Sequence, residues 1–167
     1  MEIKWHKLKD LAAQNFKNVP KRPGIYFVRW SKNGNPVSIS RLAGVDHKGI
    51  LYIGSAKKLR RRVRELWKGI NRQVEAHTIG KTIIFCKVFE IVDLDEYEIS
   101  WNQIETPKAA EGQEWIAIES YAVKYKEPPP LVLMLRRHMF IKAGLWIVGR
   151  SRIGYEPDEF VKSIIDS

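Results

Sequence analysis

Cysteine is almost missing from this sequence: Cys86 is the single one in 167 residues. That excludes an internal disulfide and any cysteine-based zinc site, and makes a reducing cytoplasm the default compartment. Cys86 lies in the apolar run IIFCKVFEIV and is expected to be a buried structural thiol. Long hydrophobic runs are missing too, since no stretch approaches the ~18 apolar residues of a membrane span. The opening residues MEIKWHKLKD carry charges where a signal peptide needs an apolar region. No Lys/Arg-rich amphipathic segment stands apart from the core-like pattern, which disfavours a membrane surface as partner. Repeats and low-complexity segments are absent. These absences predict a soluble cytoplasmic protein. Acidic residues are the minority charge, 19 Asp+Glu against 29 Lys+Arg, leaving a net charge of +10. A spread of Lys and Arg along a phosphate backbone is rewarded by counterion release, so nucleic acid is the expected partner.

What is present is core-forming material. Hydrophobic residues make up 44% of the chain and there are six tryptophans, enough for one compact domain. Leu8, Leu11, Ala12 and Phe16 recur at helical spacing before the prolines of NVPKRPG, which predicts an N-terminal helix. GIYFVRW at 24–30 reads as a strand, SKNGNP as a turn, VSISRL as a short hairpin strand, and 50–53 as another strand closed by Gly54. Helix is predicted over 57–70, with Leu59, Val63, Leu66 and Ile70 forming one apolar stripe. A long strand is expected over 82–92, then a loop or short hairpin in DLDEYEISWNQIETPK, then a helix over 109–126 ended by EPPP. The segment LVLMLRRHMFIKAGLWIVG is ambiguous, and YEPDEFVKSIID reads as a helix with Phe160, Val161, Ile164 and Ile165 on one face. The pattern is α+β, a small, mainly antiparallel β-sheet flanked by helices.

Two charged residues stand out. On a helical wheel Arg61, Arg64 and Lys68 lie opposite the apolar stripe, whereas Arg62 falls at its edge, flanked by Leu59 and Leu66. An arginine there either grips a phosphate with its planar fork or merely packs its stem. Glu119 has only Trp115, Ile116, Ala122 and Val123 at i±3 and i±4. A carboxylate among apolar neighbours is costly unless a metal ion or a distant cation satisfies it. Glu111 and Glu114 are accounted for by the dipole at the start of their helix.

GIY at Gly24–Tyr26 and YIG at Tyr52–Gly54, with YIGSAKKLRRRV, resemble the two motifs of the GIY-YIG nucleases, in particular the nuclease domain of bacterial excision-repair enzymes. Arg62 follows Tyr52 by ten residues, where the family's active-site arginine sits, and Glu119 matches its metal-binding glutamate ahead of a proline. The resemblance implies an N-terminal helical segment at 1–22, a nuclease core at 23–130 with an inserted hairpin at 31–49, and a C-terminal extension at 131–167. It implies a metal-dependent endonuclease that hydrolyses DNA phosphodiesters. By that likeness one of the two tyrosines activates or orients the attacking water, with Tyr26 expected as the base once a neighbouring cation or metal lowers its pKa and Tyr52 in support. Arg62 would grip the phosphate and Glu119 would hold one Mg²⁺ or Mn²⁺. Lys57, Lys58, Arg60, Arg61 and Arg64 are candidate backbone contacts, extended by Arg136, Arg137, Lys142, Arg150 and Arg152. The chain departs from the family at Leu66, which stands where His or Tyr is common and leaves His77 as an auxiliary candidate. It departs also at Ser55, where Lys is common, and at Leu131 and Val132, where an Asn is usual. The alternative is a DNA-binding module on the same fold that has lost efficient catalysis. Specificity is left to loops or to homo-oligomerisation.

Overall fold

The computed structural model describes residues 3–72, 78–132 and 157–165. His77, Arg136, Arg137, Lys142, Arg150 and Arg152 fall outside them, as does the ambiguous segment from 133 onward. Along the chain come β1 (His6–Lys7), α1 (Leu8–Ala13), β2 (Gly24–Lys32), β3 (Asn35–Pro36), β4 (Ile39–Arg41), β5 (Gly44–Asp46) and β6 (Ile50–Ala56). Then follow α2 (Leu59–Ile70), α3 (Thr78–Phe85), two 3-10 turns (Val88–Glu90 and Leu94–Glu96), β7 (Tyr97–Gln103), α4 (Pro107–Tyr125) and α5 (Glu159–Ile165). No described helix is long and apolar enough to cross a membrane.

The protein is α+β, built on an antiparallel sheet flanked by helices. β2 lies at its centre, paired on one side with β6 and on the other with β7, while β1 adds to the outer edge of β7. β3 turns back on the far end of β2 through Asn33 and Gly34, both at positive φ. Ile25, Phe27, Ile53 and Ile99 are fully or almost fully buried in the sheet, and the stripe of α2 (Leu59, Val63, Leu66, Ile70) packs into the same core. The predicted apolar face of the last helix is buried as well, with Phe160 edge-on to Phe27.

Three expectations are corrected. The strand foreseen over 82–92 is instead the end of α3 followed by a 3-10 turn. Its β-branched residues favour a strand locally, yet Ile79 and Ile83, one helical turn apart, are both buried, and tertiary packing overrides the propensity. A Cβ on Gly80 would lie 2.6 Å from the Cα of Gly69, so α2 and α3 meet backbone to backbone. Because the run is helical and ends there, Cys86 is exposed rather than buried. The foreseen loop or short hairpin, in turn, contains the single strand β7, which pairs with β2 over seven positions. Its acids had suggested a loop, but Glu98 faces Arg29 across the sheet and accepts a 2.8 Å hydrogen bond from its Nε. Glu96 accepts one from the indole of Trp30.

Candidate active site

The two motif tyrosines meet on one face of the sheet. Tyr26 of β2 pairs with Gly54 of β6, and Tyr52 pairs with Val28, so the aromatic rings lie diagonally across neighbouring strands, 6.0 Å between centroids. Gly54 is required by them: a Cβ there would sit 2.6 Å from the Tyr26 hydroxyl and 2.8 Å from the Tyr52 ring. Gly24 is held as tightly, since its Cβ would run into the Asn102 carbonyl and lie 2.6 Å from Leu59. The glycines of both motifs thus pack the sheet against the tyrosines and against the start of α2.

Arg62 emerges at the edge of the α2 stripe, a third exposed, and donates a hydrogen bond to the phenolic oxygen of Tyr26. Glu65 lies 3.6 Å away on the same helix. Burial works to lower the Arg62 pKa, but Tyr26, Tyr52 and Glu65 outweigh it and the guanidinium stays cationic. Tyr26 is fully buried. Its pKa is raised well above the ordinary 10, first by burial, then by repulsion from Tyr52, with Arg62 pulling down and Glu114 pushing up. Tyr26 is therefore a neutral hydroxyl at physiological pH, and acting as a base would require a bound cation to bring its pKa down.

The carboxylate that acts on this hydroxyl is Glu114, not Glu119. Glu114 Oε2 accepts a hydrogen bond from Ser55, the residue after YIG. Three of the four helical neighbours of Glu114 (Ala110, Ala117 and Ile118) are buried, which turns it toward the sheet. That signal was readable in the sequence but had been attributed to the helix dipole. Glu119 sits on another flank. Among the described residues it has no hydrogen bond or ion pair, partial burial alone raises its pKa, and it lines an open depression with Ser120, Val123 and Lys124. The apolar neighbours that singled it out misled because Val123 is 60% exposed.

Lys57, Lys58 and Arg61 are exposed around the start of α2. Arg60 is committed elsewhere, donating to the carbonyls of Val19 and Lys17 at 2.7 and 2.6 Å. Arg64 reaches Asn15 at 3.3 Å and lies over the Phe16 ring. Both tether the segment after α1. Leu131 and Val132 are buried, and the Leu131 N–H donates to the Leu51 carbonyl beside Tyr52.

No group of three or more His, Cys, Asp or Glu side chains able to hold a metal occurs among the described residues. The donor chemistry at Glu114, one oriented carboxylate beside two phenols, suits a hard cation that keeps most of its water, as Mg²⁺ does, and does not suit zinc. No family model, curated protein or solved structure matches the chain.

Proposed function

We propose that the protein is a metal-dependent endonuclease acting on DNA phosphodiesters, with Tyr26, Tyr52, Arg62 and Glu114 as its working residues. The observation that carries this is the convergence on one buried hydroxyl, that of Tyr26, of the Arg62 guanidinium and the Glu114 charge. Structural packing alone does not require an arginine and a glutamate around a fully buried tyrosine. Arg62, a planar cation, grips the scissile phosphate and stabilises the charge that develops on it. Tyr26 and Tyr52 orient the attacking water through their hydroxyls. Glu114, held by Ser55, is the residue that would hold Mg²⁺ or Mn²⁺. Such an ion supplies Lewis-acid stabilisation of phosphoryl oxygens and acidifies bound water. Lys57, Lys58 and Arg61 hold the DNA backbone without reading sequence.

A second reading is favoured by the apolar side chains at Leu131 and Val132, where the family resemblance leads one to expect an Asn. In that reading the chain is a DNA-binding module that no longer cuts. Cleavage of supercoiled plasmid and of branched or flapped duplexes, with Mg²⁺, Mn²⁺ or EDTA, separates the two. Metal-dependent cutting that falls by about 10²–10³-fold in Arg62→Ala is the expected result. Binding by native protein without cutting under any metal supports the module.

A further inference from the structure

The inserted hairpin is the sequence feature that the proposed chemistry leaves unused, and the structure ties it to the site's supports. Asp46, at the end of β5, is 1% exposed. One of its carboxylate oxygens accepts the N–H of Lys48, and the other accepts the N–H of Ile50, both at 2.8 Å. That second oxygen also accepts the hydroxyl of Tyr121 at 2.9 Å. Ile50 is the first residue of β6, which carries Tyr52 and Ser55. Tyr121 lies on the face of α4 that also carries Glu114. One carboxylate thus joins the strand of one working residue to the helix of another. Gly49 makes the turn between them possible: its φ is +65°, and a Cβ there would lie 2.6 Å from the Val37 carbonyl. Arg41 pairs with Glu127 at 3.0 Å, and the Ala43 N–H donates to the Tyr125 carbonyl. These fix the hairpin to the end of α4 without touching β6.

We propose that Asp46 and Tyr121 form a positioning brace that sets β6 against α4, so that Tyr52 and Glu114 meet in working geometry. The hairpin at 31–49 is then a structural part of the site and not a DNA-contacting loop. This rests on the nuclease reading for its catalytic consequence, but the brace itself is a statement about β6 and α4.

The test is Tyr121→Phe, which keeps the ring packing against Tyr125 and the stacking under Arg41 while removing the hydroxyl that Asp46 accepts. Glu127→Gln is the control, because it weakens the hairpin's anchorage at the same helix end and leaves Asp46 and Tyr121 joined. Two readouts are taken on the full chain: steady-state cleavage of a DNA duplex, and hydrogen exchange of the amides of Ile50–Ala56 and of α4. In Tyr121→Phe, kcat is expected to drop about tenfold, the scale of a sub-ångström displacement of working groups, with KM unchanged. The Ile50 amide and those of α4 exchange faster together, and Glu127→Gln does neither. The brace is overturned by unchanged exchange at Ile50, by exchange that speeds up while kcat holds, or by a rise in KM alone, which would make the hairpin a DNA contact. An equal loss of kcat in Glu127→Gln overturns it too. Should native protein not cut DNA, the nuclease reading fails, and the exchange data alone decide the brace: faster exchange of β6 and α4 together supports it, and unchanged exchange sinks it.

Discussion

Two flanks of one helix carry glutamates five residues apart and differ in nearly everything that gives a carboxylate a role. On the flank of α4 turned to β6, Glu114 accepts a serine hydroxyl and acts on the hydroxyl of Tyr26. On the other, Glu119 stands beside exposed Val123 and is affected only by its own partial burial. The same contrast appears elsewhere among the described residues. Around Tyr26, Arg62 and Glu114 are both hydrogen-bonded and Gly24 and Gly54 are constrained by their neighbours. At the corner formed by α3 and the turn after it, Phe85 is 86% exposed, Ile91 is 66% exposed and Cys86 is open to solvent. Apolar neighbours in sequence therefore do not by themselves separate the two glutamates. What distinguishes them is which neighbouring element each helix face meets.

Substitutions on the two flanks should separate them sharply. On the nuclease proposal, Glu114→Gln should lower metal-dependent cleavage by on the order of 10³-fold, since the cation it would hold would supply several kcal/mol of transition-state stabilisation. Glu119→Gln, measured in the same plasmid assay, should stay within about twofold of native, the range of surface changes. The reverse result would return the metal to Glu119 and break the comparison. Gly54→Ala comes next. Its new methyl meets both tyrosine rings, and overpacking of this kind costs about 1–3 kcal/mol, read as a lower urea midpoint with cleavage impaired in step. An unchanged midpoint would mean that the rings part freely.

A comparable effect follows from pH. Tyr26, Tyr97 and Tyr121 all have pKa values raised above 10, with burial the first cause in each case. Below about pH 10 both folded and unfolded forms keep these phenols neutral, and their contribution is fully present. Above it only the unfolded chain ionises them, so stability falls as pH rises, by up to about 1.4 kcal/mol per unit for each tyrosine. Thermal melts at pH 8, 10 and 11 should show a small drop in the first interval and most of the drop in the last, and a flat profile would place the three rings in solvent. Smallest of all, Cys86→Ser should leave the melting temperature unchanged. In native protein Cys86 should react with a thiol reagent at a rate close to that of unfolded chain, whereas strong protection would show that the α3 corner is covered.

Much of this was legible in the residues. The stripe of α2 and the position of Arg62 at its edge follow from periodicity, because that helix obeys one local rule, whereas the shared face of Tyr26 and Tyr52 depends also on the register of β2 with β6. The end of α4 was legible too, from EPPP. β7 was not, because the acids that look like a loop are satisfied by Arg29, Trp30 and Lys32, residues distant in sequence. α3 was misread for a related reason: its helical state depends on a glycine of α2 that lets the two backbones touch. Glu114 lay in plain view, but its role is decided by Ser55, on a strand that its own helix cannot announce. Long-range partners decided each of these cases, and a single sequence shows such partners only where a pattern repeats.

The two-residue strand β1 has a consequence of its own. His6 and Lys7 occupy the outer edge of β7, which would otherwise present a row of free amides and carbonyls alternating with Tyr97, Ile99 and Trp101. An open edge of that kind is a template for any other extended chain. So short a strand confers little stability, but it covers the middle of that edge. Shortening the protein past Lys7 is therefore expected to show first as self-association, and only afterwards as unfolding.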